Sequence, residues 1–513
     1  MSRPRHASSR RAVAFNLYPR LVAGIVAAAL ALSVAFLASP VRGQTGANER
    51  YIVVFDAVQL ADGSYALGGN YALNHDYALS LVEASGGSVL SDLSAQIGVV
   101  VVESPNALFA EVMRSYALVE EVGSDFGVKA LPDVTQLTVL APEDIPEGGP
   151  EQTADPLESL QWDMAMIHAP AAHDVQAGAP SVDVGILDSG IDAQHPDFIL
   201  DGGGTNVDCA RGHNSVSFLP TGPGVGNPDP CIDNQFHGTH VSGIVAAQAN
   251  GVGVVGVAPN VTLVPVKVCD ASGYCYASAV VDGITYAGDI ELDVINMSFF
   301  VDDDAFQEST EYKCLDDPTQ SAFRIAVERA LKYARGQGVT PIAALGNSDD
   351  DLANPPEPYD NSCDVVPAES PGVIGTTALG AGSQKATYSN WGAGEADVAA
   401  PGGSGTTGDC FNTVLSSVPG GWECFQGTSM ASPHAAGVAA LIISQFGKLG
   451  PDGDVKMPLS KVESYLLSST IDIGLAGYDE CFGHGRIDAL RAVQHDTSAA
   501  YDAAAPFCPE YSE

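Results

Sequence analysis

Residues 181–192 read SVDVGILDSGID, an almost unbroken apolar run that stops at a carboxylate, Asp188, before a Ser-Gly turn. Two later stretches repeat the layout: DVINM (293–297) stops at Ser298, and VTPIAALG (339–346) stops at Asn347. Near-continuous apolar runs of this length suit strands covered on both faces, because a half-exposed strand would alternate with polar residues. Between them lie small-residue stretches of helical length. Residues 159–495 therefore predict an α/β domain on a mainly parallel sheet. In such sheets ligands sit beyond the carboxyl ends of the strands, so those three terminal residues are where chemistry is to be sought.

Two further stretches complete the chemistry, HGTHVSG (237–243) and GTSMASPHAAG (427–437). Nucleophilic catalysis near neutral pH needs a hydroxyl or thiol, a base to take its proton, and an acid to orient the base. Ser429 can supply the hydroxyl, His237 the base and Asp188 the orienting carboxylate, while the Asn347 amide can donate to a developing oxyanion. The small residues Ala431, Ser432, Ala435, Ala436 and Gly437 let a helix lie deep in the core with Ser429 at its N-terminus, and Pro433 is expected in the first turn of that helix. Taken singly, Asp188 reads equally as a strand-end cap, His237 as a core histidine and Ser429 as a helix N-cap. Their joint occurrence in three long signatures favours catalysis, and His240, one turn from His237, is read as structural.

The order Asp, His, Asn, Ser within these signatures resembles the subtilases, subtilisin-like serine endopeptidases. The resemblance covers roughly Glu158 to Val493, including SLQWDMAMIHAPAAH (159–173) and GHGRIDALRAV (483–493). It implies a three-layer α/β/α domain and peptide hydrolysis through an acyl-enzyme with no catalytic cofactor. It assigns Asp188, His237 and Ser429 to the triad and Asn347 to the oxyanion hole. Substrate would add as a strand between Ser272-Gly273-Tyr274 and Ser298-Phe299-Phe300, with Ala344 and Gly346 also in the cleft. The family usually has Ser-Leu-Gly in the second segment. Phe300 in place of glycine narrows the pocket or shifts the loop, or else Phe299 simply fills a core-side subsite. Asp197, in HPDF, and Asn250, in QANGVGV, match positions where many subtilases hold a structural calcium, although Gly251 and Gly253 suit a tight loop with or without an ion. Residues 44–129, whose ordered part begins with YIVVFDA near residue 50, resemble in layout the family's propeptide, a small α+β unit that chaperones folding and inhibits before removal.

The remaining chain speaks to processing and compartment. Residues 1–43 carry six of the 22 basic residues and no carboxylate, around the apolar run LVAGIVAAALALSVAFLAS. This is the pattern of a cleaved signal peptide directing secretion, with an uncleaved membrane anchor as the alternative. Residues 130–158 hold five prolines and many carboxylates and read as an exposed linker in or near which maturation cuts. Residues 496–513 form a short tail. All ten cysteines lie from Cys209 onward, with no C-x-x-C spacing, which points to disulfides rather than zinc. Neighbour-to-neighbour pairing is expected: Cys209–Cys231, Cys269–Cys275, Cys314–Cys363, Cys410–Cys424 and Cys481–Cys508. The net charge of -41 argues against a nucleic-acid partner and leaves protein or peptide substrates and the chain's own propeptide as partners of a monomer. A processing protease of narrow specificity and a non-catalytic secreted binding protein are the rival readings.

Overall fold

The computed structural model describes residues 49–60, 64–67, 71–129, 139–141, 155–216, 227–299, 312–356, 358–360, 362–406, 409–450, 453, 455–505 and 508. The apolar run before residue 40, most of the 130–158 stretch and Phe300 lie outside these residues. The centre is a seven-stranded sheet, ordered Val398–Pro401, Ile374–Leu379, Thr340–Ala344, Val294–Met297, Asp183–Asp188, Thr262–Lys267, His213–Asn214. Every pairing along it is parallel. The strand Asp183–Asp188 is wholly buried, which explains its unbroken apolar run.

Successive residues of these strands feed two different cores, as strand geometry requires. Val184, Ile186, Leu263, Val294 and Ile342 pack with the helices His237–Ala246 and Thr428–Phe446. Leu187, Val264, Ile295, Met297 and Ala343 pack on the opposite face with the helices Ala277–Asp289 and Pro318–Gly336. The sheet is thus the middle of three layers. Five disulfides join the cysteines in neighbouring pairs: Cys209–Cys231, Cys269–Cys275, Cys314–Cys363, Cys410–Cys424 and Cys481–Cys508. Among the described residues no helix is long and apolar enough to cross a membrane.

Residues 49–124 form a separate four-stranded antiparallel sheet, ordered Ser88–Leu93, Val99–Ser104, Glu49–Phe55, Val119–Ser124. Its inner strand Glu49–Phe55 is buried on both sides from Tyr51 onward. Tyr51, Val53 and Phe55 face the unit's own helices, whereas Ile52 and Val54 join the core under the helices Ala277–Asp289 and Pro318–Gly336. Polar contacts fix that docking. The Asp125 carboxylate accepts from the Ser278 amide (2.9 Å) and hydroxyl (2.8 Å) at the start of the helix Ala277–Asp289, and pairs with Arg50 at 3.0 Å. Arg329 donates to the Phe55 carbonyl at 2.9 Å, meets the Glu120 carboxylate and lies over the Tyr65 ring.

Candidate active site

Asp188 ends the strand from which the sheet grows in both directions, the switch point where a parallel sheet opens a crevice. His237 opens the helix His237–Ala246, and its Nδ1 lies 3.0 and 2.9 Å from the two Asp188 oxygens. Both side chains are buried. With Nδ1–H donated to the carboxylate, Nε2 is the nitrogen free to accept a proton.

A second carboxylate, not singled out from sequence, shapes this pair from behind. Asp233 accepts from the Ser189 hydroxyl (2.9 Å), from the Thr239 hydroxyl (2.7 Å), and from the amides of Gln235, Phe236 and Thr239. Ser189 in turn accepts from the Gly238 amide and donates its own amide to Asp188. This knot holds Phe236 at φ +83°, a conformation a bulky residue adopts only under constraint. Gly238 is required there, because a Cβ would stand 2.1 Å from the Gly190 carbonyl. The signal available in the sequence was an aspartate four residues ahead of the histidine. Lys267, a fully buried cation, donates to the Ile232 carbonyl at 2.9 Å, and burial lowers its pKa against the pull of Asp233, Asp229, Asp270 and Asp188.

Ser429 is the second residue of the helix Thr428–Phe446 and is 7% exposed. Pro433 therefore sits in the second turn, not the first as expected. Its missing N–H leaves the carbonyl of Ser429, four residues earlier, without a helical donor. The Ser298 hydroxyl fills that vacancy at 2.8 Å, and is itself held by Asn296, which Ser432 holds in turn. Asn347 is oriented by its oxygen: Oδ1 accepts from the Thr428 amide and hydroxyl, both at 2.9 Å, which leaves Nδ2 as its donor. Gly346, at φ +114°, donates its amide to the same Thr428 hydroxyl. The histidine and serine helices pack on each other. Among the described residues no hydrogen bond joins Ser429 Oγ to His237, a contact that in resting enzymes often tightens only around substrate. His240 is structural: its Nε2 faces the Val414 and Glu423 carbonyls, its ring stacks on Phe425, and burial pushes its pKa down to about 3.

The expected substrate edges differ in state. Ser272, Gly273 and Tyr274 form a loop whose amides at 272 and 274 donate to Asp270, and the strand Tyr274–Tyr276 pairs antiparallel with Gly127–Lys129 of the N-terminal unit. On the other side Ser298 is committed to Ser429, and Phe299 is fully buried in the core under the helix Ala277–Asp289. Phe299 is thus a core residue rather than an open wall, and Ala344 is equally buried.

Asp197 and Asn250 lie together, beside the loop Asn250 opens. Asp197 Oδ2 accepts from Ser417 Oγ and from Trp422 Nε1, both at 2.6 Å. Asn250 turns Nδ2 onto the Pro196 and Ile199 carbonyls and Oδ1 onto the Val252 amide. Asp155, nearby, accepts from the amides of Gly251 and Val252. Asp197 Oδ1 is buried without a hydrogen bond, and both bonds to Asp155 fall on its Oδ1. No group of three His, Cys, Asp or Glu among the described residues could hold a metal.

The family-wide sequence model described as the subtilase family matches residues 180–485. Subtilisin from Bacillus pumilus is 34% identical over 339 residues, covering 66% of this chain and 100% of that protein. Subtilisin E from Bacillus subtilis (strain 168) is 35% identical over 339 residues, covering 66% of this chain and 72% of its own. Among solved structures, the epidermin leader peptide processing serine protease from Staphylococcus aureus shares the fold with a TM-score of 0.63 at 21% identity, over 88% of this chain and 98% of that one.

Proposed function

The chain belongs to the subtilase family of serine proteases, and from that premise we propose that it is an active endopeptidase, exported and made as a zymogen. Ser429 is the nucleophile, His237 the general base, Asp188 its orienting partner and Asn347 an oxyanion donor. The observation that carries this reading is the buried His237–Asp188 hydrogen bond at the mouth of the sheet, beside the helix that begins at Thr428. In the reaction His237 Nε2 takes the Ser429 hydroxyl proton as Oγ attacks the peptide carbonyl. Asp188 balances the imidazolium, and Asn347 Nδ2 donates to the carbonyl oxygen as it gains charge. The imidazolium then protonates the leaving amine, and water, deprotonated by the same nitrogen, releases the acyl group from Ser429.

The zymogen reading is supported by the strand Gly127–Lys129, which covers an edge that an extended substrate would use. Export is supported by the arginine-flanked apolar run at the N-terminus and by five disulfides, which persist in oxidising compartments. The test follows the purified precursor and its Ser429→Ala variant by intact mass over time, with fluorophosphonate labelling alongside. Wild type is expected to take up the label and to shed the segment before about residue 158, while the variant does neither. A wild type that neither labels nor turns over peptide would instead favour a binding protein on a protease fold.

A further inference from the structure

The helix Pro318–Gly336 sends one side chain out of its own domain and into the N-terminal unit. Arg329 is 7% exposed, and its Nη1 donates to the Phe55 carbonyl at 2.9 Å and to the Ile97 carbonyl at 3.3 Å. Its Nη2 meets the Glu120 carboxylate, and the guanidinium lies over the Tyr65 ring, 5.0 Å from its centre. These partners come from four separate pieces of the unit: the strand Glu49–Phe55, the helix Ser94–Ile97, the strand Val119–Ser124 and the short strand Tyr65–Leu67. Burial of Ile52 and Val54 against the helices attracts without fixing direction, whereas a planar fork of donors accepts only one arrangement of acceptors. We propose that Arg329 is the residue by which the catalytic domain recognises its own N-terminal unit, and that this contact holds the unit in place after the chain between them is cut, an inference that rests on the zymogen reading above.

Both sides of the contact are shaped for it. Gly98, at φ +69°, stands beside the guanidinium, and a Cβ there would lie 3.2 Å from Arg329 Nη1 and 2.9 Å from the Ala57 Cβ. Earlier on the same helix, Gly123 lets the unit's strand press close: a Cβ would stand 2.8 Å from the Thr319 carbonyl oxygen and 2.9 Å from the Ala322 Cβ. Other polar contacts across this face each tie down one piece. Ser91 donates to Asp282 at 2.8 Å, Gln96 donates to Asp289 at 3.1 Å, and Asp125 accepts from Ser278. Removing the Arg329 guanidinium takes a donor from two buried carbonyls and a carboxylate at once, and charge-assisted bonds of this kind are the stronger ones. The surface thus fits a partner that presents two element-end carbonyls, a carboxylate and an aromatic ring at this spacing.

The test uses the full chain carrying Ser429→Ala, with a recognition site for an added protease placed within residues 132–138. After the cut, the half-life of the N-terminal fragment on the rest of the protein is read by size-exclusion chromatography at fixed dilution. The fragment is expected to stay bound, and Arg329→Met, which keeps most of the apolar stem, should shorten its half-life about tenfold or more. Arg324→Met is the control, because Arg324 sits on the same helix but bonds only Glu328, Asp364 and the Ser362 carbonyl within the catalytic domain, and it should leave the half-life unchanged. Equal half-lives for Arg329→Met and its parent overturn the proposal, as does equally fast release by Arg324→Met or immediate release by the parent. If Arg329→Met does not fold, Arg329→Lys is read in its place with the same outcomes, since an ammonium is a point charge without the fork. The nucleophile is absent throughout, so a chain that is not a protease, or does not shed the unit by itself, fails the labelling and intact-mass test above and leaves this one readable.

Discussion

Asn347 is anchored by the atom that does not react. Its Oδ1 accepts twice from Thr428, which leaves Nδ2 as the atom to donate in the proposed reaction. Pre-aimed donors of this kind stabilise charge that appears only in the transition state, so their loss falls on kcat more than on KM. Asn347→Leu is accordingly expected to lower kcat by about 100- to 1,000-fold with little change in KM, read from steady-state peptide hydrolysis. An unchanged kcat would place oxyanion stabilisation elsewhere. Asn347 is legible in the sequence for a related reason: a lone asparagine closing an apolar strand has few reasons to be there. Asp233, Ser189 and Thr428 are not legible in that way, because each resembles an ordinary turn or cap residue until its partners converge.

At the scale of elements, the serine helix pairs a high content of small residues with close packing. Gly437 is the tightest case, since a Cβ there would meet Val257 at 2.6 Å. Helix propensity favours alanine over glycine by about 1 kcal/mol, whereas forcing a methyl into a filled core costs about 1–3 kcal/mol. Packing wins, and Gly437→Ala is expected to lower the melting temperature. A rise would show that the helix can shift away from Val257. The loop 368–373 and the turn at Glu395–Asp397 tell a different story, for they line a cavity of about 290 Å³ with Glu369, Glu395, Asp397 and Glu463 around one arginine, Arg335. Burial raises Glu369 to about 9 and Asp397 to about 6, and raises Glu395 as well. A carboxyl whose folded pKa lies above its unfolded value stabilises the protein while protonated, and that contribution fades as pH rises through the folded value. The melting temperature should therefore fall between about pH 5 and about pH 9, and Glu369→Gln should flatten the upper part of that fall. A profile unchanged by the substitution would remove Glu369 as a cause.

Across the whole molecule, the disulfides close loops of very different size. Cys314–Cys363 spans 49 residues and Cys269–Cys275 only 6. In the chain-entropy account the long loop constrains the unfolded chain by about 4 kcal/mol and the short one by about 2 kcal/mol. Replacing both cysteines of the long loop by alanine should thus cost more in denaturant unfolding than the same change in the short loop. The reverse order would mean that the contacts around Cys269–Cys275, where Asp270 collects the loop amides, outweigh loop length.

Local pattern by itself determined the parallel α/β class, the strand ends that carry Asp188, Ser298 and Asn347, and the helices that present His237 and Ser429. It could do so because apolar run length and small-residue helices are consequences of burial on both faces, which each segment records on its own. The same holds for YIVVFDA, whose unbroken apolar run reflects two cores, one inside its unit and one beneath the helices Ala277–Asp289 and Pro318–Gly336. Tertiary structure alone decided what the polar groups do. Pro433 lies a turn deeper than expected, and the carbonyl it frees belongs to Ser429 and is answered by Ser298. Asp197 and Asn250 meet an indole, a hydroxyl and a backbone amide that their spacing does not announce. Hydrogen bonds are directional and short in range, so their partners come from segments far apart in the chain, and no run of neighbouring residues can announce them.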